Sequence, residues 1–148
     1  MEETKHLLQF TIPQLLRWRV ENTGGKVALR EKDYGRWNCY TWEHYYDYVR
    51  KTGLGLKKIG FAREDKIAVI SDNIPEALFV ALGAQSVGGL SAAIYQTSLP
   101  EEIGDILNYL GVSTVFCSDQ EQVDKVAEVR ATIPQVKKVI YEDARGMR

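Results

Sequence analysis

The sequence predicts an α/β fold: a mostly parallel β-sheet of βαβ units flanked by helices, a Rossmann-like subdomain, preceded by a helix and a β-hairpin. Three observations predict it. From Lys66 onward, four short Val/Ile/Ala-rich runs recur at regular spacing, over residues 67–71, 90–95, 112–117 and 136–141. Each of the first three is followed by a capping side chain and a helical pattern. The runs are apolar at consecutive rather than alternating positions, as in strands buried on both faces and joined by right-handed crossovers. The order is β-α-β-α-β-α-β.

Ahead of that rhythm, Thr11 precedes Ile12-Pro13-Gln14, a capping pair that opens a helix over about residues 12–21, with Leu15, Leu16 and Val20 apolar. Asn22-Thr23-Gly24-Gly25 stops it. Residues 27–31 and 37–40 are β-prone and flank the turn-rich Lys32-Asp33-Tyr34-Gly35-Arg36, which reads as a hairpin. Thr41 then caps a helix carrying Trp42, Tyr45, Val49, Leu56 and Ile59 at helical spacing, weakened by Gly53 and Gly55 and ended by Gly60.

Within the βα region, Asn73…Glu76, Ser98…Glu101 and Ser118…Glu121 each place a capping side chain three residues before an acid. Gly88-Gly89, Gly111 and Pro134 mark helix ends. The helix over 101–110 carries one core-facing stripe, Ile103, Ile106, Leu107 and Leu110. The helix over 74–87 is apolar all round, so it needs cover on two sides, from the amino-terminal helices or from something outside the chain.

Composition bounds the rest. At 148 residues and 45% apolar content, the chain has the size of one domain with a real core, here divided into a helix–hairpin–helix lead-in over 1–60 and a βαβ sheet unit over 61–148. Nineteen basic against twenty acidic residues leave a net charge of −1, which excludes the basic footprint of a nucleic-acid binder. Met1-Glu2-Glu3-Thr4-Lys5 is acidic where a secretory signal is basic, and no run is long enough for a transmembrane segment. The expected location is cytoplasmic, with peripheral attachment to a membrane allowed. Two cysteines, Cys39 and Cys117, and two histidines supply neither a disulfide framework nor a zinc set.

In a parallel sheet the ligand lies beyond the carboxyl ends of the strands, here residues 71–73, 95–98, 117–119 and 142–145. The first of these turns is Ser71-Asp72-Asn73, not G-x-G-x-x-G, and no Gly-rich turn closes in Lys-Ser or Lys-Thr. Gly53-Leu54-Gly55 follows a helical stretch and lacks a third glycine. Tyr95-Gln96-Thr97-Ser98 offers hydroxyls to a ligand or simply leads into a helix cap. Asp72 and Asp119 fit a general base, a ribose ligand or a cap. His6 and His44 lack a visible partner, as does Cys117 for nucleophilic work. The aromatic group Tyr34, Trp37, Tyr40, Trp42, Tyr45, Tyr46 and Tyr48 reads as a hairpin packed on a helix rather than a stacking platform. Lys57-Lys58 and Lys137-Lys138 read as solvated faces or strand edges. On this reading the chain carries no catalytic, cofactor-binding or metal-ligating residue of its own.

Several segments, in order and at matching spacing, resemble one family: Thr11-Ile12-Pro13-Gln14-Leu15-Leu16, Val27-Ala28-Leu29-Arg30-Glu31-Lys32, Tyr40-Thr41-Trp42, Asp65 through Asn73, Gly88-Gly89-Leu90-Ser91, Ile94 through Glu102, and Asp119-Gln120-Glu121-Gln122. They resemble the amino-terminal part of the acyl-CoA synthetases of the adenylate-forming AMP-binding superfamily, most closely the long-chain fatty-acid CoA ligases. The resemblance implies a parent that joins a fatty acid to ATP and then transfers the acyl group from its adenylate to CoA, using Mg2+. It also implies that the phosphate-binding loop and the catalytic residues follow Arg148, so the 148 residues alone are expected to be inactive and to bind none of ATP, Mg2+ or CoA tightly. Expected partners are the remainder of the polypeptide and a second copy. The chain departs from the commoner family pattern at Ala93 and Gln96, where prolines are frequent, and at Leu78-Phe79. Two alternatives remain: a stand-alone α/β binding or interaction module, and an adenylate-forming ligase for another carboxylic acid.

Overall fold

The computed structural model describes residues 7–143. The expectations placed on residues 1–5, on His6 and on Arg145 lie outside them. In chain order the elements are α1 (Ile12–Thr23), β1 (Val27–Asp33), β2 (Arg36–Thr41), α2 (Trp42–Lys58), β3 (Lys66–Ile70), α3 (Pro75–Ser86), β4 (Leu90–Ile94), α4 (Pro100–Leu110), β5 (Thr114–Cys117), α5 (Gln120–Glu128), a 3-10 turn (Arg130–Thr132) and β6 (Lys138–Tyr141).

Four strands form a parallel sheet in the order β4-β3-β5-β6. Because the chain steps one way from β3 to β4 and then back across β3 to β5, right-handed crossovers put α3 on one face and α4 and α5 on the other. Packing agrees. Ala68, Ile70, Val115 and Cys117 face Ile103 and Leu107 of α4 and Val126 of α5. The alternate strand residues Ile67, Val69 and Phe116 face Val80 and Ala84 of α3, with Leu56 of α2 and Phe61 beside them. The parallel α/β prediction therefore holds, and the reversal of strand order puts a topological switch point between β3 and β5.

The lead-in covers the outer side of α3. Phe79 and Leu82 turn away from the sheet and bury against Leu16 of α1 and Tyr45 and Val49 of α2, so the helix that is apolar all round finds both covers within the chain. The crossing of α2 over α3 is close because Gly53 meets Gly83: a Cβ on Gly83 would lie 3.0 Å from Thr52 Cγ2 and 3.1 Å from the Gly53 nitrogen. Gly53 interrupts helix propensity for a packing reason; Gly55, with open space around its Cα, does not.

The hairpin is longer and its turn tighter than the composition implied. Tyr34 and Gly35 have φ of 44° and 79°, the left-handed pair of a two-residue turn whose twist matches the strands. All three caps predicted in the βα region shift by one residue. Proline sits most favourably at the first helical position and forces the preceding residue to be extended, so Ile74 and Leu99 become the N-caps before Pro75 and Pro100. Asn73 therefore caps nothing. At α4 the reciprocal acid is Glu102, which accepts from the Leu99 N–H at 3.0 Å, rather than Glu101. At α5 the cap is Asp119, which accepts from the Gln122 N–H at 3.1 Å, while Ser118 donates to Asp119 at 2.7 Å. Thr41 caps α2 as expected, accepting from the His44 N–H at 3.2 Å, with His44 closing the box; Thr11 is the N-cap of α1, but there it is Gln14 that accepts, from the Thr11 N–H at 2.8 Å and from its hydroxyl at 3.0 Å.

Candidate functional site

The carboxyl edge of the sheet gathers all four strand ends singled out from the sequence, the fourth described as far as Asp143. Between the turns after β3 and β4 lies an open cleft of about 580 Å³. Its floor is Val69, Ala77 and Ala93, and its rim is Asp72, Tyr95 and Gln96. A second cleft of about 560 Å³ lies between the hairpin and the β3–α3 turn, against Leu29, Glu31, Trp37, Pro75 and Leu78. Asp72 and Asn73 border both.

Side chains tie these turns together. Gln96 donates its amide N–H to Asp72, joining the second turn to the first. Lys125 of α5 donates to the Gln96 carbonyl and pairs with Glu121 at 2.9 Å. The third strand end is closed by backbone bonds, Glu142 N–H to the Cys117 carbonyl and Asp143 N–H to the Ser118 carbonyl. Asp119 is committed to its capping bond. Cys117 is buried, and burial first, then the nearby Asp119 charge, pushes its thiol up to about 12. A thiol held neutral across the ordinary pH range is not a nucleophile.

Other candidates fall away from the edge. His44 closes the cap of α2, accepting from the Thr41 N–H through Nδ1 at 3.5 Å. Gly53 and Gly55 lie inside α2. Tyr40, Tyr45 and Tyr48 pack round Phe79, with Tyr48 stacked on it at 4.8 Å, as expected for hairpin on helix. Lys138 lies on the edge strand β6, as one of the two readings expected, and reaches the Ile59 carbonyl at the end of α2, pinning β6 to the lead-in.

One feature escaped the sequence. Glu31, Glu76 and Glu142, far apart in the chain, come near enough that Glu31 and Glu142 add to the burial of Glu76 in raising its carboxyl above the ordinary range. Only the topology, which brings β1, the start of α3 and the end of β6 to one edge, unites them. A carboxyl whose folded-state value is raised supports the fold fully below its unfolded value, and that support is lost as pH rises through the folded value. Glu76→Gln is therefore expected to raise the unfolding temperature at pH 7, with the gain vanishing below about pH 4, where glutamate protonates in any state. Thermal melts across that range decide it; an equal or lower melting point for Glu76→Gln at pH 7 removes the strain.

Among the described residues no three His, Cys, Asp or Glu side chains converge as a metal-ligand set. Nor, among the described residues, is any helix long and apolar enough to cross a membrane. The edge thus offers clefts, hydrogen-bonding turns and an acidic corner.

Comparison with known proteins gives this edge a context. Residues 16–148 match the model of the family described as AMP-binding enzyme. The chain is 31% identical over 139 residues to the long-chain-fatty-acid–CoA ligase ACSBG1 of Bos taurus, covering 93% of this chain and 19% of that protein. It is 26% identical over 133 residues to the Homo sapiens protein of the same name, covering 90% of this chain and 18% of that one. Among solved structures, the N-terminal domain of FACL13 from Mycobacterium tuberculosis superposes with a TM-score of 0.83 at 20% identity, covering 92% of this chain and 35% of that one. The anthranilate CoA ligase AuaEII, solved in complex with anthranoyl-AMP, superposes with a TM-score of 0.80 at 16% identity, over 90% and 25%. The chain thus spans about a fifth of the length of these curated relatives.

Proposed function

The chain belongs to the AMP-binding enzyme family, and from that premise we propose that it is the N-terminal subdomain of an ATP-dependent acyl-CoA ligase, with a long-chain fatty acid as substrate. The observation that carries this reading is the match over nearly the whole chain to ligases five times its length. The parent reaction joins the acid to ATP, giving acyl-adenylate and pyrophosphate, and then passes the acyl group to the CoA thiol with release of AMP. ATP, Mg2+ and CoA belong to that whole protein. Among the described residues the turns after the strands are not Gly-rich, no acidic set converges as metal ligands, and the buried thiol is inert. No step is therefore routed through this chain.

Its role in this proposal is support. The sheet, with α3 and the lead-in locked behind it, presents a rigid carboxyl edge whose clefts form one wall against the remaining polypeptide. The lead-in over 1–60 and the sheet unit over 61–148 act as one scaffold, ending ahead of the phosphate-binding loop, and the 148 residues alone are inactive.

The test is pyrophosphate release and thioester formation by the protein in which residues 1–148 are followed by the rest of the reading frame, offered palmitate, octanoate, benzoate and amino acids. Preferred turnover of palmitate supports the long-chain reading; preference for another acid replaces that part of it. No adenylation of any acid overturns the ligase reading, and acyl-CoA formation by purified residues 1–148 overturns the scaffold role.

A further inference from the structure

The β4–α4 connection forms one rim of the larger cleft, yet apolar burial does not anchor it: Tyr95 is 84% exposed and Leu99 61%. Its own backbone bond is a single turn closure, Ser98 N–H to the Tyr95 carbonyl at 3.0 Å. What ties it down is a polar chain that runs from α5 to the turns after β4 and β3. Glu121 pairs with Lys125, Lys125 donates to the Gln96 carbonyl, and the Gln96 side chain donates to Asp72.

Lys125 is the keystone of that chain by geometry and burial. Its side chain is only 18% exposed, against 73% for the Glu121 that pairs with it. A lysine head group drawn down onto a backbone carbonyl, with its stem packed, gives up much of the hydration and rotamer freedom that surface lysines keep. In that position the bond is a charge-assisted one, stronger and less screened than an exposed pair. The identity of residue 96 adds to the case. A proline ring at this position would stiffen the turn by fixing φ. Gln96 has no such internal constraint, and the bonds to Lys125 and Asp72 supply one from outside.

We propose that Lys125 is a positioning residue for the ligase site: through the Gln96 carbonyl it holds the β4–α4 turn, and with it the rim of the cleft, in the geometry that receives substrate. This rests on the ligase reading. It touches no reacting atom, so its loss should weaken binding rather than chemistry. In the full-length ligase, Lys125→Met is expected to raise the KM for the acid or for CoA by roughly three- to tenfold with kcat changed less than twofold, the pattern of lost uniform binding. Lys125→Arg, which can still reach a carbonyl and a carboxylate, is expected to restore both constants. In the 148-residue chain, amide exchange across residues 95–98, read at the Ser98 N–H that closes the turn on the Tyr95 carbonyl, should speed up in Lys125→Met and match the unmodified chain in Lys125→Arg.

KM values for acid and CoA both unchanged in Lys125→Met overturn the proposal, as does unchanged exchange over 95–98. A fall in kcat and stability together, not restored by arginine, assigns Lys125 a merely structural role and also overturns it. Absence of adenylation in the unmodified full-length protein would defeat the ligase reading instead, while the exchange comparison still decides whether the latch exists.

Discussion

Gly83→Val is expected to cost about 3 kcal/mol of folding stability, the upper part of the overpacking range, and to do so by prising α2 from α3. A Cβ at position 83 already meets Thr52 Cβ at 3.1 Å, Thr52 Cγ2 at 3.0 Å and the Gly53 backbone nitrogen at 3.1 Å. Backbone cannot step aside as a flexible side chain can, and the two further methyls of valine have nowhere to go. Alanine is the discriminating control. It brings the same tight Cβ but gains about 1 kcal/mol of helix propensity over glycine, so Gly83→Ala should fall within about 1 kcal/mol of the parent chain. Gly55→Ala, in the same helical setting with no atom within 4 Å, should stabilise by roughly 0.5–1 kcal/mol. Urea unfolding of the three variants separates these cases. If Gly83→Val proves as stable as Gly55→Ala, the close helix crossing is not what joins the lead-in to the sheet.

That contrast also shows what a sequence can and cannot disclose. Both glycines of α2 look alike on paper, each a weak point in a helical stripe; only three-dimensional packing tells Gly53, which needs to be small, from Gly55, which does not. The βα rhythm is most legible at β3 and β5, whose residues such as Ile67, Val69 and Val115 are buried on both faces of the sheet and write an uninterrupted apolar run, while the edge strands β4 and β6 carry the same apolar composition with much of it exposed. Cap positions were legible to within one residue. At α3 and α4 the φ constraint of Pro75 and Pro100 outranks the side-chain acceptors of Asn73 and Ser98, and at α5 the Asp119 carboxylate outranks the Ser118 hydroxyl.

The site was less legible because its contacts are long in sequence and short in space. The turns holding Asp72 and Gln96 could be named from strand ends alone, but the hydrogen bond between their side chains spans 24 residues, and that from Lys125 to Gln96 spans 29. Nothing local marks Lys125 among the other cations of the chain: it sits on an amphipathic helix at ordinary spacing from Glu121. The acidic corner of Glu31, Glu76 and Glu142 was hidden for the same reason, since hairpin, helix start and last strand meet only after the crossovers have been laid down.

The second large effect concerns the face of α3 that turns away from the sheet. Phe79 is 4% exposed and is the ring on which the lead-in packs: Tyr48 stacks on it at 4.8 Å and 7°, Tyr45 lies tilted at 5.6 Å, and Tyr40 meets it edge-on at 5.8 Å. Removing it leaves a void between α3, α2 and the hairpin that three rigid aromatic rings cannot collapse to fill, so Phe79→Ala should cost about 3–5 kcal/mol. Phe79→Leu keeps most of the apolar volume but loses the ring–ring geometry, and should cost roughly 1–2 kcal/mol, the sum of a well-tolerated swap and about one aromatic contact. The tyrosines give an independent signal. Burial pushes the Tyr45 hydroxyl up to about 12, and burial with the Glu31 charge does the same for Tyr40. Such groups stabilise the fold fully below their unfolded value near 10, and that support is lost as pH rises toward 12. If the void admits water, Phe79→Ala should let Tyr45 ionise closer to pH 10 in ultraviolet titration and should flatten the alkaline loss of stability, while Phe79→Leu should leave both nearly intact. A Phe79→Ala chain with unchanged tyrosine titration and a cost below about 1 kcal/mol, far under the usual large-to-small penalty, would mean that α3 is held by the sheet alone and that the lead-in rests on it without supporting it.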